Sequence, residues 1–471
     1  MCRISRACTY PQAAERGAAR VSLSTLRMVT IFITVQTGMA ARDLLRCGPL
    51  DRILEHPDSR VVLLTPGYRD PAFLAEFAGP RVAVVPHVPY APSTTVWRLM
   101  TRRWRHAGSP RAAEMVHRVE ERFIPAVPAY DALFREYQPA LVVSGDPLRP
   151  GDANLVATAH RHGVPTLGSV RSWDNLLKHL RTRPDAVTVW NRINAREAVE
   201  VERFRPEAVE QVGAPQLDAY FRPDEWSTSR QAFCAAEGLD PAKKILLLAT
   251  SSFTYDSDQS YLVDIILAAI RDGEIRQPLQ VLLRLHPDDR VGRYLKYRHA
   301  AEVTLDIPES YVATLGWTMT RADIHRMANV LTHANLMVNF TTTVTLESAV
   351  FDTPTVLVAF SPIDPEEMQR YVVGLHFKMH YRDLVRAERQ LVPVAWSRDE
   401  LVALINRSLE DPGEYRAQRA AIVRDWVQFT DGASGRRLGD AILKRAGLKP
   451  PVASAARSDT PAPAAAACGS D

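Results

Sequence analysis

Three consecutive threonines, Thr341, Thr342 and Thr343, stand between the apolar run "LMVNF" and the segment "VTLESAVF", which carries Glu347 and stops at Thr353 and Pro354. The pattern predicts a strand, a tight turn and a helix. Unpaired N–H groups at a helix start, together with the helix dipole, attract anions, and hydroxyls add donors without competing negative charge. A diphosphate fits such a turn. Thr342 or Thr343 could instead simply cap the helix. A capping box, however, needs its Glu three residues after the cap, and Glu347 follows Thr343 by four. Glu347 therefore has no evident local task and reads as a functional carboxylate, the alternative being a solvated helix residue.

Other strand ends carry similar chemistry. "LQVLLRLHPDDR" closes an apolar run with Arg284 and His286, a fixed cation suited to phosphate and a side chain that can donate to phosphate or act as an acid near neutral pH. In "ITVQTGMAARDLL", Gly38 occupies the first strand-to-helix turn; without a GxGxxG it either lies beside a bound donor or only permits the turn. "LGSVRSWDNLLKHL" sets Arg171, Trp173, Asp174 and His179 after another strand. Asp174 reads equally as a base or as a helix N-cap, and His179 as a residue on a helix face. Asp146 in "VVSGDPLRPGD" suits a turn. Between Glu76 and Glu114 there is no acidic residue. That stretch holds Trp97, Arg102, Arg103, Trp104 and Arg105, a basic aromatic segment able to lie on an anionic membrane surface or grip an anionic acceptor, or else merely solvated.

These residues need a scaffold. From Val29 onward, β-branched runs ("VTIFITV", "RVVLLTP", "RVAVVPH", "ALVVSGD", "PTLGSV", "AVTVWN") alternate with segments of helical period, and the pattern restarts with "KKILLLATSS", "LQVLLRLHP", "ANLMVNF" and "PTVLVAF". Strands without polar alternation, separated by helices, imply parallel sheets covered on both faces. The expectation is α/β: two doubly wound Rossmann-like domains facing a cleft, with an acceptor-side domain over residues 28–216 and a linker over 217–228. A donor-binding domain follows over 229–430, and a helix over 431–447 packs back on the first domain. Residues 1–27, Arg-rich and Ala-rich, read as a disordered or mis-started extension, with a transit peptide possible on composition, and 448–471 as a disordered Pro/Ala/Ser tail.

The chain has 471 residues, 46% of them hydrophobic and 24% charged, with a net charge of +4. That length favours two domains, and so small a charge gives no general case for nucleic-acid binding. Five scattered cysteines form no CxxC pair or His/Cys cluster, which suits a reducing compartment without structural zinc, and no metal site is expected. No run reaches the ~18 apolar residues of a membrane span.

Taken together, the "RLHP" strand end, the threonine turn with "LES" and "DTPTVLV", the "VGAPQLDAY" at 212–220 and the "DGASGRRLGDAI" from Asp431 resemble glycosyltransferases of the GT-B fold. They are most similar to the branch containing the CDP-glycerol glycerophosphotransferases and related transferases of bacterial surface polymers. The resemblance implies that Arg284, His286 and Thr341 to Thr343 hold a donor diphosphate, with Glu347 near its ribose. That branch carries Trp-His-Gly, with a His base, where this sequence reads Trp173-Asp174-Asn175. A carboxylate base suits sugar transfer. The expectation is thus a metal-independent glycosyltransferase without cofactor, moving a sugar from a nucleotide-sugar to a surface glycan or glycolipid. It would be cytoplasmic, in peripheral contact with the inner face of the membrane. CDP-linked polyol-phosphate transfer and nucleotide-sugar 2-epimerisation are the alternatives, and a two-domain glycan-binding protein the non-enzymatic one.

Overall fold

The computed structural model describes residues 28–88, 103–252, 258–287, 289–308, 311–340, 342–380, 382–386 and 389–451. Seven strands form the first sheet: β1 (Val29–Thr34), β2 (Ser59–Thr65), β3 (Val82–Pro86), β4 (Leu141–Ser144), β5 (Thr166–Ser169), β6 (Ala186–Val189) and β7 (Val209–Gln211). Their order is β3-β2-β1-β4-β5-β6-β7, every pair parallel. The second sheet has six strands: β8 (Lys244–Ala249), β9 (Leu279–Arg284), β10 (Val303–Asp306), β13 (Leu336–Asn339), β14 (Thr355–Val358) and β15 (Val394–Ala395). It runs β10-β9-β8-β13-β14-β15, again all parallel. Between β10 and β13 a small antiparallel pair, β11 (Tyr311–Val312) and β12 (Gly316–Trp317), forms a hairpin. The molecule is thus two doubly wound α/β units. Each reverses its strand order once, at β1/β4 and at β8/β13, where open sheets of this kind leave a crevice at the strand ends.

The apolar runs of the sequence explain the layers. Along β1, Ile31 and Ile33 enter a core with Val61, Leu63, Leu141 and Val143, whereas Phe32 points to the other face with Val62, Leu64, Tyr130 and Phe134. Both faces of a central parallel strand are therefore dry, as unbroken hydrophobicity requires. The short strands β7, β10 and β15 were not evident in the sequence. They sit at or beside sheet edges, where two to four residues and mixed burial leave little pattern to read.

The helix Ser434–Arg445 contributes Leu438, Ala441, Ile442 and Leu443 to the core of the first sheet, not the second. Its start is capped from a distance. Asp218, buried, accepts the N–H groups of Ser434 (2.9 Å) and Gly435 (2.7 Å). "VGAPQLDAY" and "DGASGRRLGDAI" thus meet through one carboxylate and two helix amides. Against the neighbouring helix Pro49–Leu54 the approach is close, for a Cβ on Gly435 would lie 1.9 Å from the Cys47 carbonyl oxygen.

Gly435→Ala should destabilise the protein by about 1–3 kcal/mol, the usual cost of overpacking against backbone that cannot move aside. Gly292→Ala, where nothing lies within 4 Å of the added carbon, should stay within about 0.5 kcal/mol of wild type. Urea unfolding of the two variants measures the difference.

Candidate functional site

A cavity of about 320 Å³ lies between the two sheets. From the first unit it is lined by Met39, Arg42, Arg171, Trp173 and Asp174, and from the second by Thr250, Arg284, His286, Thr342, Thr343 and Glu347. Residues far apart in sequence meet here because they follow the carboxyl ends of parallel strands.

On the second unit, Arg284 is the last residue of β9, and its guanidinium donates to Asp306 at the end of β10. The other Asp306 oxygen takes a hydrogen bond from Arg326 at 2.7 Å, so Arg284 is held in place. The His286 N–H donates to Thr250 Oγ1 at 2.8 Å and ties the β9 loop to the β8 loop. Asn339 Nδ2 donates to the hydroxyls of Thr342 and Thr345, both at 3.0 Å, which fixes the threonine turn. Thr343 occupies the N-cap position of the helix Val344–Val350 but makes no side-chain capping bond, so capping does not account for its hydroxyl. Thr341 lies outside the described residues. Glu347 does have a partner, remote in sequence: the Tyr220 hydroxyl, from the segment joining the two units, donates to its Oε2 at 2.6 Å. Burial and the Glu347 charge push that phenol well above its ordinary value.

On the first unit, Asp174 is 7% exposed and lies in a run of turns rather than a helix, so it is not a helix N-cap. Its Oδ1 accepts from Ser172 Oγ at 2.7 Å, and its Oδ2 pairs with the Lys178 ammonium. Arg171 donates to Asp146 at 2.7 Å, while its Nε is buried without a hydrogen-bond partner among the described residues. Asp146 does not line the cavity; it holds Arg171 there. His179 is on no helix face. It takes a left-handed backbone (φ 68°) outside the cavity, with Nδ1 3.2 Å from Glu202.

Gly38 also lies outside the cavity lining, although Met39 is part of it. The Gly38 N–H donates to the Leu315 carbonyl at 2.9 Å, and a Cβ there would lie 2.0 Å from the Trp317 carbonyl oxygen. Close approach of the β11–β12 hairpin, rather than a ligand or a tight turn, accounts for this glycine. In the basic segment, Trp97 and Arg102 lie outside the described residues, and so do the side chains of Arg103 and Trp104. Arg105 is turned inward, 11% exposed, donating to Glu202 Oε2 (3.2 Å) and to the Leu180 carbonyl. A buried carboxylate thus holds the Arg105 guanidinium, which is not a solvated surface cation.

Among the lining residues not singled out from the sequence are two buried polar ones, Gln216 and His376. Gln216 is 5% exposed, and its Oε1 has no hydrogen-bond partner among the described residues. His376 is buried on the π-helix Met368–His380. Gln216 stood inside a quoted motif, "GAPQLD", where a glutamine among apolar neighbours was the available signal. For His376 there was none, since the wider π turn does not follow the helical period.

Neither a family model nor a curated protein matches this chain. Solved structures do. A complex of S. aureus MnaA with UDP aligns at a TM-score of 0.53 and 11% identity, over 89% of this chain and 98% of that one. A UDP-N-acetylglucosamine 2-epimerase aligns at 0.53 and 14%, over 89% and 96%. A variant of the wall teichoic acid polymerase TagF aligns at 0.52 and 13%, over 89% of each chain. The chain has the GT-B fold. At such identities the likeness is one of fold. In GT-B terms the cavity is the interdomain cleft, and the threonine turn lies at the order reversal of the C-terminal sheet. No described helix is long and apolar enough to cross a membrane.

Behind the Asp174 loop, Asn194 Nδ2 donates to the Trp173 carbonyl (2.6 Å) and to Glu197 Oε2 (3.0 Å). Burial raises Glu197 to about 7 from 4.5, the Asp174 and Asp383 charges adding to it against the Asn194 hydrogen bond and Arg196. Since the folded-state value lies above the unfolded one, folding takes up a proton between pH 4.5 and 7. Stability should therefore fall as pH rises through that window and stay lower above it, by at most ~3 kcal/mol from this group. Glu197→Gln, which can still accept from Asn194, should flatten that part of the profile in denaturant titrations from pH 5 to 8.

Proposed function

We propose that this chain is an enzyme that binds a nucleotide-diphosphate-linked sugar in the interdomain cleft and transfers the sugar to a hydroxyl acceptor. One observation carries the reading. A single cavity sets a guanidinium, an imidazole and two hydroxyls of the C-terminal unit (Arg284, His286, Thr342, Thr343) opposite the carboxylate of Asp174 from the N-terminal unit. Two buried groups of cavity-lining residues support it: the Nε donor of Arg171 and the Oε1 acceptor of Gln216, neither with a hydrogen-bond partner among the described residues. Buried polar atoms are seldom left without partners, and a charged diphosphate with a sugar or ribose hydroxyl would satisfy both.

In this reading the acceptor oxygen bonds to the anomeric carbon as the bond from that carbon to the diphosphate oxygen breaks. Asp174 takes the acceptor proton, exchanging its contact with Ser172 or Lys178 for the incoming hydroxyl. Arg284, His286 and Arg171 meet the charge that develops on the departing diphosphate, placed where that charge appears. Glu347 keeps Oε1 for the ribose while Oε2 stays with Tyr220. The motif resemblance favours a surface glycan or glycolipid as acceptor, and an aspartate in place of the family's histidine favours sugar over polyol-phosphate transfer.

A specific observation favours a second reading, nucleotide-sugar 2-epimerisation. At about 320 Å³ the cavity is near the lower end of the ~300–1,000 Å³ usual for small-molecule sites, which gives room for a donor and little besides.

Thermal shift with a panel of nucleotides tests the donor site, since a ligand at 100 times its Kd adds ~2.7 kcal/mol. At least one nucleoside diphosphate should stabilise the protein; if none does, the reading fails. His286→Ala should weaken nucleotide binding by ~1.5–3 kcal/mol, and Thr342→Val by less, as a neutral hydrogen bond. Asp174→Asn should lower turnover roughly 10²–10⁴-fold with nucleotide affinity retained. Incubating the nucleotide-sugar without acceptor separates the readings, because an isomerised donor means epimerase.

A further inference from the structure

A second cavity, of about 780 Å³, lies wholly within the N-terminal unit and shares no lining residue with the interdomain cleft. It brings together His117 and Glu121, one helical turn apart on Pro110–Glu121, with His160 from the helix Ala153–Arg161. Each offers a ligand atom within 4.8 Å of the others. Glu121 Oε1 is 3.2 Å from His117 Nε2 and 2.7 Å from His160 Nδ1. A tetrahedral zinc ion with bonds of about 2.0–2.2 Å needs its ligand atoms roughly 3.3–3.5 Å apart, so the first distance already fits and the second must open by about 0.6 Å.

The far side of His160 supplies an independent observation. Its Nε2 lies 3.0 Å from Thr166 Oγ1 and 3.3 Å from Asp185 Oδ2, and the Asp185 carboxylate is fixed by the Thr166 N–H and hydroxyl, each at 2.8 Å. A metal-ligating imidazole characteristically donates its other N–H to a carboxylate, which sets the tautomer and turns the free nitrogen to the metal. Here Nε2 meets the Thr166 hydroxyl, which itself donates to Asp185, and the Asp185 carboxylate stands 3.3 Å away, with Nδ1 directed at the cluster.

From this geometry we infer that His117, Glu121 and His160 form a binding site for a divalent transition-metal ion of the zinc type, with Asp185 orienting His160. Two imidazoles and one carboxylate match zinc rather than calcium or magnesium, which prefer oxygen ligands. All three ligands line the cavity, so the fourth position of the ion opens onto it for water or a small anion, near Arg118, Arg122 and Arg161. The bound ion would clamp the helix Pro110–Glu121 to the helix Ala153–Arg161, apart from the chemistry of the cleft.

The full-length protein, stripped with chelator, is titrated with zinc chloride by calorimetry and with cobalt chloride by visible absorption. Wild type should bind one ion per chain and melt at a higher temperature with zinc. Tetrahedral cobalt bands should appear without a thiolate charge-transfer band. His117→Gln and His160→Gln should abolish that binding, and Asp185→Asn, with all ligands retained, should weaken it roughly 10–100-fold. Circular dichroism verifies folding, and should His160→Gln not fold, His117→Gln carries the same test. Zinc affinity weaker than about 1 mM in wild type would overturn the inference and leave an ion-pair cluster. Unchanged binding in the two histidine variants, or a thiolate band, would overturn it by placing the metal elsewhere.

Discussion

Parallel pairing sends every strand of a sheet out at the same edge, and both main sheets here are parallel throughout. Everything that follows a strand is thereby gathered on one side, whatever its distance along the chain. Arg284 after β9 and the threonine turn after β13 meet for this reason, and Asp174 after β5 faces them because the two edges are turned toward each other. Hydrophobic burial on both faces of β1 or β8 fixes strand position with a core that has no polar work to do. Loops can then carry polar groups that a core would not tolerate.

What holds the two edges in register is a few residues between the units. Within "GAPQLDAY", Gln216 faces the cleft, Leu217 is in the core, Asp218 caps the helix Ser434–Arg445 and Tyr220 bonds Glu347. The chain passes between the units here and again just before Ser434. Asp218 bolts the two passages together. The β11–β12 hairpin against Gly38, Arg46 on Thr318 and Asn191 on the Trp426 carbonyl are further contacts across the gap.

The architecture was legible because its signals are local. An apolar run of strand length followed by a helical segment marks a βα unit wherever it occurs, and the ends of such units mark a cleft, so Arg284, His286, Thr342 and Asp174 could be singled out. The errors arose where a side chain's partner is remote in sequence. Arg105 read as a surface cation until Glu202 was found beside it, and Glu347 lacked a local task only because Tyr220 is 127 positions away. Gly38 answers to a carbonyl from the other unit, a contact that no period within a segment can encode. His376 was hidden by π-helical geometry, which puts successive residues on faces a 3.6-residue period does not foretell.

Because the helix Ser434–Arg445 supplies part of the first sheet's core, the N-terminal unit cannot complete itself from its own contiguous sequence. On the ribosome, β1 to β7 emerge more than two hundred residues before that helix does. Until then the face of β1 bearing Ile31 and Ile33 lacks Leu438, Ala441 and Ile442, and it presents apolar surface to the cell. Domains usually fold as units in the order of their synthesis. Here the earlier unit is complete only once a helix from beyond the later one has been made. The same stretch of waiting is when an exposed sheet face is most open to chaperones, or to another unfinished copy of the same chain.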